Sequence, residues 1–281
     1  MRARISLLLG LLALNCRPLC AQEAVEREVL VEGREAGEEF EEPGGAGQPQ
    51  WAERSRASST TKLYVLSPFE LFAGVISESD FDRAGRTTHD FTQEIEFGLP
   101  GRFELDLENH VGTDGDGTSE TSLGAGLRYA LANWGKLPLN PAISAAYHFG
   151  FSHHADAYEV RLLLGQEFVP RLQWAANVVF QKEIAGARER EIGFTQDLAY
   201  LVIADKLELG TEMRYTNRTR QSGSWNEFIV GPSVNWKPNL HTVVSLAPLF
   251  GCTAASPRVV LFFSASLEFG GGESKTVPLR R

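Results

Sequence analysis

From Leu66 to Phe269 the chain is built of short runs in which apolar and polar residues alternate, and the joints between the runs alternate too. Tight joints (Leu99-Pro100-Gly101-Arg102, Val169-Pro170-Arg171, Ala204-Asp205-Lys206, Lys237-Pro238-Asn239) take turns with longer polar ones at 82–90, 113–120, 184–190 and 217–224. A period of two gives each strand one face for an apolar medium and one for a polar medium. Short turns at one end and long loops at the other describe a barrel standing across an outer membrane.

The pattern predicts twelve strands, near 66–78, 88–99, 102–112, 120–132, 141–151, 156–168, 171–183, 190–203, 206–217, 224–236, 239–251 and 257–269. The expected fold is therefore all-β, an antiparallel up-and-down transmembrane barrel. An even count puts both termini on the periplasmic side. Parity is clean on several strands. Tyr158, Val160, Leu162 and Leu164 oppose Glu159 and Arg161, and Phe103, Leu105 and Leu107 oppose Glu104, Asp106 and Glu108. Leu172, Trp174, Ala176, Val178 and Phe180 oppose Gln173, Asn177 and Gln181. A soluble sandwich would alternate as well, but runs of ten or more residues have the length of a tilted membrane crossing.

Aromatic residues gather at the strand ends. Trp134, Phe168, Trp174, Tyr200, Trp236 and Phe269 lie near the tight turns, and Phe91, Tyr147, Phe149, Tyr215 and Trp225 nearer the loops. Amphipathic rings favour the headgroup level, so two girdles are expected, with outer-membrane lipids around them.

Composition fits this picture. A mean hydropathy of -0.18 suits a barrel, because half of each strand is polar. Past residue 21 no run of 18 apolar residues occurs, so no spanning helix is expected. The net charge of -9 argues against a nucleic-acid partner.

The first residues differ from the rest. Arg2 and Arg4 followed by the apolar run 5–14 make 1–21 a signal peptide, with cleavage after Ala21. Lipidation at Cys16 or Cys20 is disfavoured by Asn15 and Leu19, which stand where a small residue should precede the cysteine. Cleavage leaves Cys252 as the one cysteine, hence no internal disulfide, and takes the net charge from -9 to -12 with the loss of Arg2, Arg4 and Arg17. Residues 22–65 are crowded with Glu and then loosened by Gly and Ser, so a disordered, acidic periplasmic segment is expected. Its functional alternative is docking of a periplasmic partner or a cation. Residues 66–269 form the barrel and 270–281 a short tail.

The polar faces place charge inside. Glu94, Glu96, Glu104, Asp106 and Glu108 come from two strands joined at Pro100-Gly101 and should share one wall. Arg128, Arg161 and Arg214 point the same way, with Glu159, Glu208 and Glu212. Acids this close need cations nearby, and such a wall would set the ion preference of a narrow pore. Alternatively the charges pair across the barrel and plug it. For nucleophilic chemistry the best candidates are His148 with Ser144 or Ser152. His153-His154 with Asp156, and the 114–117 loop, are the places where a metal would go. The loop lacks calcium-loop spacing, so neither metal nor cofactor is expected.

Over 66–269 the chain resembles the Gram-negative outer-membrane β-barrel class, small porin-like channels or transporters, and Leu267-Glu268-Phe269 matches the apolar-x-aromatic end of that class. The resemblance implies recognition of this strand by the assembly machinery, although a tail follows it here. Val29-Leu30-Val31 resembles the energy-coupling box of outer-membrane receptors, but those carry a folded plug domain, for which this tail is too short. The expected function is passive passage of small polar or cationic solutes. The alternatives are an outer-membrane lipid hydrolase and a plugged structural barrel with a partner-binding acidic segment.

Overall fold

The computed structural model describes residues 44–53, 56, 58–113, 119–151, 155–203, 206–239 and 241–270. All of them belong to one compact unit, Phe40–Arg281. The signal peptide, the acidic stretch 22–43 and most of the C-terminal tail lie outside the described residues.

Twelve antiparallel strands close into a barrel, each paired with its sequence neighbours and the first with the last. They are β1 Leu71–Phe81, β2 Thr87–Leu99, β3 Phe103–Thr113, β4 Ser119–Ala130, β5 Ala142–Phe151 and β6 Ala157–Val169. The circuit continues through β7 Leu172–Glu183, β8 Arg190–Ile203, β9 Leu207–Arg220, β10 Gly223–Asn239, β11 Thr242–Gly251 and β12 Val259–Phe269. Closure runs in unbroken register from Leu71↔Phe269 to Phe81↔Val259, so no strand edge is left for hydrocarbon to meet. The start of β1 and the end of β12 thus share the end of the barrel that carries the tight turns. At one such turn, the three residues Pro100 to Arg102 between the paired Leu99 and Phe103, Gly101 and Arg102 both adopt positive φ (79° and 68°).

The outward faces are apolar. Ile95, Leu105, Leu107, Leu127, Ile143, Val160, Leu162, Leu209, Leu246 and Phe263 are all solvent-facing, whereas their charged neighbours Glu94, Glu96, Glu104, Asp106 and Arg128 are buried. An inside-out distribution of this kind is stable only when lipid covers the outside.

Three expectations need correction. First, β1 begins at Leu71 rather than 66, because Ser67 to Glu70 form a reversal in which Phe69 takes a φ of 70° and donates to Gly98 O at 2.7 Å. Second, the 217–224 joint is not a long loop: β9 and β10 pair as far as Arg220↔Gly223. Third, two aromatics leave the girdles. Trp134 packs edge-on against Tyr64 and Trp51, while Trp225 shares the inward parity of Glu227 and donates to it at 3.0 Å.

The largest departure concerns residues 44–66. The sequence reads 22–65 as disordered and 66 as strand, yet the described residues from 44 to 66 run inside the barrel as a lumen segment. A short helix, α1 Gln50–Glu53, is followed by a return in which Arg56 bridges Lys62 in antiparallel fashion. Ala52, Leu63, Tyr64 and Val65 are buried together with inward Ala130, Ala142, Leu163 and Ala175 of the wall. A chain this short needs no core of its own, because the lumen supplies one.

Candidate functional site

The site is the contact between the lumen segment and the charged inner wall. The hairpin β2–β3 sets Glu94 opposite Glu108, Glu96 opposite Asp106 and Gly98 opposite Glu104. Since every second residue faces inward, these five acids form one patch. Arg128 enters from β4, directly across from Glu104.

Arg128 is fully buried and works in two directions. One guanidinium nitrogen lies 2.6 Å from Glu104 and donates to the carbonyls of Leu63 and Tyr64 at 3.0 and 3.2 Å. The other reaches Glu96 at 3.4 Å and Asp106 at 3.2 Å. Glu96, Glu104 and Asp106 each offer an oxygen within 4.8 Å of the others, a spacing a metal could use. Arg128 bridges all three, so the positive charge there is supplied by the protein itself.

Two more cations come from the lumen segment. Arg56 grips Glu94 with two nitrogens, one of them at 2.7 Å. The Lys62 amine sits among Glu94 (3.3 Å), Glu96 (3.3 Å) and Glu108 (2.5 Å). Both backbone groups of Lys62 are held by one side chain: its N–H donates to Asn177 Oδ1 at 2.9 Å, and Asn177 Nδ2 donates to its carbonyl at 2.8 Å. The Leu66 N–H donates to Glu104 at 2.5 Å. On the far wall Glu212 accepts from the N–H groups of Ser59 and Thr60 and from the Thr60 hydroxyl, at 3.4, 3.1 and 3.0 Å. Gly165 makes room for Leu63, whose Cδ1 occupies the space a side chain there would need.

The remaining charged candidates have partners of their own. Glu159 and Arg161 pair with each other on β6, at 3.1 and 3.0 Å. Glu208 is bound by Lys237 and by Asn235 Nδ2 at 3.3 Å. Arg214 pairs with Glu78 at 3.0 and 2.5 Å and lies over the Phe262 ring, 5.2 Å from its centre. Arg56, Lys62, Lys237, Glu78 and the buried acid Asp197 are site residues that the sequence patterns did not single out, and Asn177 was placed on the polar face without a role. The first two sit in a stretch whose composition reads as unstructured. Asp197 falls on the inward parity of β8 and was findable from it.

Outside the strands, the Asp156 carboxyl lies below its usual range, because it accepts from the Gly150 N–H at 2.9 Å and from the Tyr147 hydroxyl at 2.8 Å. Asp82 is lowered likewise by the Arg86 side chain and its backbone N–H.

Of the hydrolase candidates, the described pair does not meet. Ser144 and His148 share the inner face of β5, but four residues of strand separate them by about 13 Å, too far for proton transfer. Ser152, His153, His154 and the 114–117 loop lie outside the described residues. A Ser–His contact does exist between Ser79 Oγ and His89 Nδ1 at 2.9 Å, and no described carboxylate hydrogen-bonds to the other ring nitrogen.

Among solved structures the barrel is similar to the KdgM porin, with a TM-score of 0.51 at 10% identity over 71% of this chain and 99% of that one. It is similar to the NanC porin at a TM-score of 0.50 and 7% identity, over 71% and 99%. The fold is that of an outer-membrane barrel. At these identities the likeness is one of architecture, and the sequence matches no family model and no curated protein.

Proposed function

We propose that this barrel is a porin-like channel for small polar or cationic solutes, with both termini in the periplasm, and that residues 44–66 close it in the state described. The single observation that carries the proposal is the charge balance of the wall. Glu94, Glu96, Glu104, Asp106 and Glu108 outnumber Arg128 five to one, and Arg56 and Lys62 from the segment raise the cations among them to three. A barrel meant only as a solid post would pair its wall charges with each other, as Glu159 and Arg161 do, because unpaired buried charge is costly. An acidic wall left to a removable segment is instead suited to receive mobile positive groups. The shared fold with the two porins supports the same direction.

The test is liposome swelling with small neutral and cationic solutes. The Arg56→Glu/Lys62→Glu variant turns two attractions into repulsions and should drive the segment off the wall. Faster swelling than wild type is expected, greatest for cationic solutes. A variant that folds, loses the segment from the lumen and still passes nothing would leave the barrel as a structural post.

A further inference from the structure

Arg56 and Lys62 are more than two separate tethers. They face each other across an antiparallel bridge within the lumen segment, and they share one acid: Arg56 forks Glu94 while the Lys62 amine reaches the same carboxylate at 3.3 Å. The wall therefore holds two positive groups side by side, one in a fork and one in a three-acid pocket. Glu94 and Glu96 have no exposed side-chain surface, and Lys62 has 5%. Withdrawing the segment would leave five acids facing one arginine.

The space beside the two seats is small. A gap of about 30 Å³ borders the Arg56–Glu94 pair, with Trp51, Glu208, Lys237 and Ser264 among its other walls. A second, of about 10 Å³, borders Lys62 and Glu108 and is lined by Gly124, Gly126, His148 and Glu159. Neither holds much more than a water molecule, so a solute reaches these acids only where the segment has left them.

Resting on the channel reading above, we infer that the segment imitates its solute: Arg56 and Lys62 hold the place of a small molecule with two positive groups, such as a short diamine, and that molecule opens the lumen by exchange for them. The seat for the second amine is Glu94, Glu96 and Glu108. The physical reason is that a ligand shifts an equilibrium only by binding one state better, and the open state alone offers these carboxylates. A single-charge cation fills one seat and leaves the other acid group uncompensated, so it opens the lumen poorly.

Trypsin reads segment release directly, since it cuts after Arg56 and Lys62 and is too large to enter the barrel. The mature protein, folded in detergent, is digested in putrescine, in butylamine and in sodium chloride at equal ionic strength, and cleavage after Lys62 is followed by mass spectrometry. Cleavage of a transiently open state follows its population, so putrescine should speed it about tenfold over sodium chloride, with butylamine near the salt control. The Glu96→Gln/Glu108→Gln variant should lose the difference between putrescine and salt. Equal rates in all three media overturn the inference, as does a putrescine effect that survives in the Gln variant. Liposome swelling by the Arg56→Glu/Lys62→Glu variant separates the two proposals: swelling without putrescine-driven cleavage leaves the channel and removes the exchange. Cleavage without swelling leaves a diamine-binding barrel that is not a channel.

Discussion

Asn177 holds Lys62 as a neighbouring strand would, accepting from its N–H and donating to its carbonyl at 2.9 and 2.8 Å. One wall side chain thereby satisfies both backbone groups of a buried residue of the segment. Asn177→Leu leaves both groups unpaired, at about 1–3 kcal/mol for each. The barrel should keep its heat-modifiable mobility on gels, while tryptic cleavage after Lys62 quickens. Loss of the folded band together with the segment would show that the segment is needed for closure.

Gly165 tests the same docking from the apolar side. Leu63 lies where its side chain would be, so Gly165→Val forces Leu63 out of the buried cluster. Inter-strand pairing of β6 and β7 does not depend on that position having no side chain. The expected outcome is an intact barrel with an exposed segment, checked by labelling a cysteine introduced at Ser59 in a Cys252→Ser background.

The outward and inward faces should respond differently to substitution. Leu162→Arg puts a charge against lipid and should impair assembly by about 2–4 kcal/mol. Glu159→Gln, on the inner face, keeps the shape and a hydrogen bond to Arg161 and should leave assembly near normal. Fractions of folded protein recovered from outer membranes compare the two. Equal impairment would mean that β6 has been given the wrong face.

Ion preference belongs to the opened barrel. In the Arg56→Glu/Lys62→Glu background, the reversal potential under a salt gradient should favour cations and weaken at high salt as screening shortens. Adding Glu94→Gln, Glu96→Gln and Glu108→Gln should move it toward anions. An unchanged reversal potential would put the constriction elsewhere.

Asp156 sets an acid limit on one loop. Its folded pKa is lower than its unfolded one, so its stabilising contribution is complete above the ordinary carboxylate range and fades as pH falls through the depressed value. Protection of the Gly150 amide, corrected for intrinsic exchange, should therefore drop at low pH. Asp156→Asn should bring that loss to neutral pH.

Strand positions, faces and closure were legible because they are local facts. A residue's parity fixes its face, and an apolar band around a charged interior has few other solutions than a lipid-embedded cylinder. The shared wall of Glu94, Glu96, Glu104, Asp106 and Glu108 followed from the tight turn at Pro100-Gly101 alone. The exceptions have physical reasons. Trp134 was counted among the girdle aromatics because it sits at a strand end, but its ring found Tyr64 and Trp51 instead of headgroups. The joint at 217–224 looks like a loop because its residues are polar, yet two strands outside the membrane can pair with polar faces on both sides.

The sequence by itself thus determined a twelve-stranded barrel, its lipid face and the acidity of its lumen. Only the tertiary structure decided what fills that lumen. Residues 44–66 carry too few apolar side chains to fold alone, and composition is blind to a core borrowed from elsewhere. Leu63, Tyr64 and Val65 are buried only because Gly165, Ala142 and Ala175 line a hollow for them. Arg56 and Lys62 are fixed only because the wall is short of positive charge, a fact that belongs to β2, β3 and β4 taken together.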